Sequence, residues 1–226
     1  MSEVVKPPAR NDISVASFGL NAFSDLSPQQ KEDAVYSMLF GRFAANGSAD
    51  PRDDPQKWAA QFQSNLENVG WVVTSSSNST ATIRTGSVDD LVLTALENET
   101  TWTRHEYALA VRALYALQAA GADSEGQELM NGDAISKSKH ASFFQIAVAV
   151  PAEGNIQLRL LTFLLEMTDV EMTSVLGTRW NLKQAQWTTT HQTMELNEEV
   201  YAKVRDSIAD RLQGAGALES IAAVPF

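Results

Sequence analysis

Apolar residues recur at two different spacings along this chain, and the change between them divides it. After Ser27-Pro28-Gln29-Gln30, which combines a capping serine, a proline at the first helical position and a glutamine at the reciprocal capping position, Val35, Met38, Leu39 and Phe43 follow helical spacing. The pattern predicts a helix that stops near Asn46-Gly47. Trp58, Phe62, Leu66 and Val69 predict a second helix from Asp54-Pro55 to Gly70. The period then shortens: residues 71–75 and 80–85 flank the polar stretch 76–79, which reads as a hairpin. Capping signals at Ser87 and Thr103 open helices carrying Val92 and Leu96, then Val111, Leu114 and Leu117, the latter closed by Gly121. Residues 123–130 read as a short helix and 131–140 as a polar loop.

From residue 142 the strand period dominates, with strands expected over 142–150, 155–167, 172–180 and 183–196. A last helix over about 198–212, capped by Asn197, is expected to bury Val200, Val204, Ile208 and Leu212 and to end at Gly214. Residues 14–26 are mildly apolar and read as an extended lead-in. This order is α+β: an antiparallel sheet of about four to six strands, from an N-terminal hairpin and a C-terminal meander, packed by helices. The expected division is an arm and lead-in over 1–26, one domain over 27–214 and an apolar tail over 215–226. Repeated βαβ units are missing, which disfavours a nucleotide-binding doubly wound sheet.

Residues 156–167 are unusual. Ile156, Leu158 and Leu160 alternate with polar residues, but beyond Leu160 both faces are apolar apart from Thr162 and Glu166. A strand covered by helices on both sides accounts for this. The alternative is a β-hairpin over 142–167 that leaves the fold and enters a membrane, since each strand has the length a membrane hairpin needs. There Arg159 and Glu166 have opposite parity, so one would face lipid.

Composition narrows the functional classes. The 226 residues are 44% hydrophobic, enough for an ordinary core, and carry a net charge of −11. That balance opposes nucleic-acid binding and simple electrostatic attachment to an anionic membrane. The chain has no cysteine, so disulfides, thiolate catalysis and zinc–thiolate sites are excluded. With no signal-peptide pattern and no apolar run of about 18 residues, a cytoplasmic location is the default expectation, with export by a dedicated secretion system left open.

Three stretches carry a resemblance: Asp54-Pro55-Gln56-Lys57-Trp58 running on to Asn68-Val69-Gly70-Trp71-Val72-Val73, then Phe144-Gln145-Ile146, then Gln192-Thr193-Met194-Glu195-Leu196-Asn197 with Val200-Tyr201. With them the chain resembles a family of small, cysteine-poor bacterial and fungal proteins that share these landmarks in this order. The resemblance implies that residues 50–212 form one folding unit. It implies no activity, cofactor or site residue.

Candidate chemistry is sparse. His105, His140 and His191 lack metal-motif spacing, and Asp50, Asp53 and Asp54 lack the calcium-loop pattern. Glu198 and Glu199 fit a first helical turn, where acids are favoured. Neither a nucleophile elbow nor a glycine-rich phosphate loop is present, so no cofactor, catalytic residue or metal ligand is expected. The one candidate ligand platform is Trp180, Trp187 and His191, beside the hydroxyls of Thr188, Thr189 and Thr190. The expected function is non-enzymatic, through surface contacts or self-association as a homo-oligomer or with a protein partner. The alternatives are a membrane-active, toxin-like or virulence-type protein and an enzyme whose site forms only on folding. A deep pocket holding His191 or His140 beside a carboxylate would favour the enzyme.

Overall fold

A computed structural model describes residues 11–83, 87–136, 138, 140–167, 172, 174–176 and 185–225. The strands are β1 (Ile13–Ala16), β2 (Gly19–Phe23), β3 (Trp71–Ile83), β4 (Ala141–Ala152), β5 (Asn155–Met167), β6 (Ala185–Leu196) and β7 (Ile221–Ala223). The helices are α1 (Pro28–Asn46), α2 (Pro55–Asn68), α3 (Val88–Glu97), α4 (Arg104–Ala120), α5 (Glu125–Ala134), α6 (Glu198–Ala202) and α7 (Arg205–Gly214). Their starts follow the capping chemistry of the sequence. Ser27 with Gln30, and Thr103 with Glu106, form reciprocal capping boxes, and Asp54, Ser87, Ser124 and Asn197 each accept a first-turn N–H.

The strands form one seven-stranded sheet in the order β3-β6-β5-β4-β2-β1-β7. Every neighbouring pair is antiparallel except β2 with β4. The fold is therefore α+β with a mostly antiparallel sheet, wider than the four to six strands expected. The extra strands come from the two ends of the chain. The lead-in is a buried hairpin, β1–β2, turning at Ser17 with φ 54°. The apolar tail adds β7 against β1 and buries Ala217, Ile221 and Val224 on its own molecule.

Three further expectations are corrected. The hairpin expected over 71–85 is, as far as Ile83, a single strand, β3, whose polar centre pairs with β6, and residues 84 and 85 lie outside the described residues; solvent-facing edge residues need not be apolar, so the serines mimic a turn. Of the strand expected over 172–180, Met172 and residues 174–176 are not in a strand, and the remainder lies outside the described residues. The last helix is broken at Lys203 and Val204, which leaves Val200 40% exposed and only Ile208 and Leu212 buried in its second half.

Alternating residues of β4 show which helices cover which face. Phe143 meets Trp58 of α2 at 4.8 Å, and Gln145 accepts from Arg42 of α1 at 2.7 Å. On the opposite face Phe144 stacks on Phe163 at 4.8 Å, and Arg159 reaches Glu106 of α4 at 2.8 Å. Helices α1 and α2 thus cover one face, and α4 covers the other. Double burial is most complete in β4, where every residue from Phe143 to Ala149 is buried. Within β5, Leu160 and Leu161 are buried on opposite faces, while Gln157, Arg159, Thr162 and Leu164 are half-buried.

Candidate functional site

The sheet is apolar in its middle and polar at the end formed by β3 and β6. Residues 72–83 of β3 contain no charged side chain and no proline, and residues 74–82 are all exposed. One side of β3 pairs with β6; among the described residues the other is an open edge. The ladder phase determines which backbone groups are unpaired. The Asn197 N–H donates to the Gly70 carbonyl, so Trp71 and Leu196 are a non-hydrogen-bonded pair and Val72 with Glu195 a hydrogen-bonded one. Alternation along β6 then turns the backbone groups of Thr193, His191, Thr189 and Trp187 toward β3, onto Ser75, Ser77, Ser79 and Ala81. Ser76, Asn78, Thr80 and Thr82 therefore point their N–H and C=O groups outward. A bulge between Val73 and Ser75 separates this run from the buried Trp71 end.

On the α4 side, a cleft of about 330 Å³ opens between the C-terminal end of α3 and the β3–β6 ladder. His191 projects into it with Nδ1 3.0 Å from Glu99 Oε1, an ion-pair distance without hydrogen-bond alignment. Thr189, on the same face of β6, is 1% exposed, and its hydroxyl has no partner among the described residues. Ser77 lies directly across the ladder from His191.

Two members of the candidate platform, Trp187 and His191, come together here; Trp180 lies outside the described residues. Trp187 is 6% exposed, packed on Phe163 at 5.0 Å and near Phe144 at 6.4 Å, so it forms the cleft floor and offers no free ring face for stacking. Glu99 was not signalled by the sequence: it follows α3 in an ordinary polar loop, and only the fold places it on His191. His105 and His140 are exposed and lie elsewhere. Of the acidic residues singled out, Asp54 caps α2, Asp50 pairs with Arg52 at 2.6 Å, and Glu198, in the first turn of α6, accepts from Gln30.

A histidine oriented by a carboxylate is the pairing expected of a general base. The surroundings oppose that use. The helix end beside the cleft is the C-terminal one, whose dipole repels developing negative charge.

No protein-family model matches the chain, and no curated protein matches it. Among solved structures it is similar to the activated Cyt2Ba monomer from Bacillus thuringiensis subsp. israelensis, with 14% identity and a TM-score of 0.46 over 80% of this chain and 97% of that one. It is also similar to a delta-endotoxin, with 13% identity and a TM-score of 0.43 over 80% and 84% of the two chains. The Evf virulence factor matches with 15% identity and a TM-score of 0.31 over 91% and 80%. Likeness at this level does not bear on function.

Proposed function

We propose that this is a non-enzymatic protein that acts by self-association, joining β3 of one copy antiparallel to β3 of a second. The observation that carries the reading is the open edge of β3: a long row of unpaired backbone groups with none of the charges, prolines or short lengths that blunt natural edges. The opposite edge of the sheet, β7, is only three residues long. The molecule carries a net charge of −11, so two copies repel over most of their surface, whereas residues 72–83 of β3 bring no charged side chain of their own to the contact. Antiparallel pairing requires outward-facing residues to meet outward-facing residues. A two-fold axis at Asn78 satisfies this, matching Asn78 with itself and Ser76 with Thr80.

The chain has no cysteine, which makes a direct test available. A lone cysteine in Asn78→Cys should give a cross-linked dimer under mild oxidation, and one at exposed Val72, far from the axis, should not. Equal cross-linking from both positions, or none from either, contradicts the pairing.

Two other readings are weaker. Hydrolysis at His191 draws on the Glu99 pair, but the helix end opposes an oxyanion. Release of residues 142–167 into a membrane would strip β4 from β2, β5 from β6, and Arg159 from both Glu106 and Thr193. Dye release from vesicles tests that reading directly: leakage by the wild-type chain would support it.

A further inference from the structure

We infer that the cleft beside His191 is a binding site for a neutral polyhydroxylated ligand, a single sugar ring. The starting point is Thr189. Its hydroxyl is buried without a partner, and leaving such a group unpaired costs on the order of 1–3 kcal/mol. The residue lines the cleft, so a turn of its side chain to another rotamer lets a group that enters complete the hydroxyl. The entering group must bring both donors and acceptors. The cleft itself offers both: the Glu99 carboxylate and the Ser77 and Ser79 hydroxyls can accept, and the side-chain amides of Asn78 and Asn98 can donate.

Charge decides against the other ligand classes. None of the described residues lining the cleft is lysine or arginine, Glu99 contributes a carboxylate, and the adjacent helix end is the negative one. Anionic ligands are therefore disfavoured. A quaternary ammonium needs an open aromatic face, and that of Trp187 is taken by Phe163. A neutral ligand with several hydroxyls remains. The lining is also two-sided. Leu91 and Ala95 of α3 offer an apolar wall, facing the polar wall of Ser77, Thr189 and His191. A sugar ring has the matching form, with C–H groups on its faces and hydroxyls around its rim. The volume of about 330 Å³ lies at the small end for ligand pockets and suits one ring better than a chain.

The test is a heteronuclear NMR titration of the full chain with methyl α-glucopyranoside, methyl α-mannopyranoside and N-acetylglucosamine, with glucuronate as the anionic control. At least one neutral sugar should give saturable shifts centred on Ser77, Glu99, Thr189 and His191, with glucuronate at least about tenfold weaker. Thr189→Val, nearly the same shape without the hydroxyl, should weaken binding about tenfold. Glu99→Gln should weaken it too; its side chain is part-buried, whereas that of Thr189 is fully buried, and glutamine keeps its shape, so it decides the matter if the Thr189 variant does not fold. The inference is overturned if no neutral sugar gives saturable shifts up to about 100 mM. Glucuronate binding as tightly as the glucoside, or affinity unchanged in the folded variants, overturns it as well.

Discussion

Replacing Glu106 with alanine tests how the α4 layer is held on the sheet. Glu106 is 2% exposed and makes two charge-assisted bonds: Oε1 accepts from Arg159 Nε at 2.8 Å and Oε2 from the Thr103 N–H at 2.6 Å. Arg159 also donates to Thr193 at 2.7 Å, so one guanidinium ties β5 to both α4 and β6. Its side chain is 13% exposed and that of Glu106 3%, so the pair lies close to the buried limit. Removing one partner strands the other charge and should cost about 3–5 kcal/mol, with the capping box lost besides. For a chain of 226 residues that is a fall in Tm of roughly 6–20 °C, measured by calorimetry or circular dichroism. The double variant Glu106→Ala with Arg159→Leu removes both charges and should recover most of the loss. A single variant within about 0.5 kcal/mol of wild type, or a double variant as unstable as the single, would refute the reasoning.

The same pair gives a pH dependence. Burial pushes the Glu106 carboxyl up, but the bonds from Arg159 and Thr103 and the Arg159 charge together outweigh it, leaving the group below its ordinary value of 4.5. A depressed carboxylate contributes stability that is complete above the unfolded value and is lost as the pH falls through the folded one. The gap between wild type and Glu106→Gln should therefore be full at neutral pH and shrink on the acid side of 4.5.

Further outcomes follow from the packing. Phe62→Ala, which removes a 2%-exposed ring stacked on Trp58 at 4.9 Å, should cost about 3–5 kcal/mol in denaturant unfolding. Gly19→Ala would place a methyl 2.2 Å from Nη2 of the buried Arg42, whose pKa burial lowers to about 9. That guanidinium must shift off Ala16 and Gln145, so a loss of about 1–3 kcal/mol is expected in the same assay. A chain ending at Gly214 loses β7 and uncovers β1, and light scattering should show it aggregating where the full chain does not.

Helix positions were legible in the sequence because caps are local: Ser27, Asp54, Thr103 and Asn197 mark true starts. The strands 142–150 and 155–167 were legible because each is a nearly continuous apolar run bounded by polar and turn residues. The N- and C-terminal strands were not, since β1, β2 and β7 are only three to five residues long, and beyond the local β1–β2 hairpin they pair with segments distant in sequence. The polar centre of β3 misled in the opposite direction. Ser76, Asn78 and Thr80 have turn-like chemistry but lie on an exposed edge, where pairing with β6 sets the conformation. Of the site, Trp187 and His191 were found through their clustering with Thr188, Thr189 and Thr190. Glu99 joins them across 92 residues of sequence (191 − 99), which no local pattern encodes.

The proposed self-association rests on the outward N–H groups of β3, and sedimentation velocity on the wild-type chain and Asn78→Pro addresses it most directly. Proline at an outward-facing edge position removes a donor that β6 does not use, so the fold should be retained. The account predicts a concentration-dependent dimer for the wild-type chain at micromolar concentrations and a monomer of 24.6 kDa for Asn78→Pro with the same circular dichroism spectrum. A wild-type chain that sediments as a monomer throughout that range, or a folded Asn78→Pro chain that dimerises equally well, would contradict it.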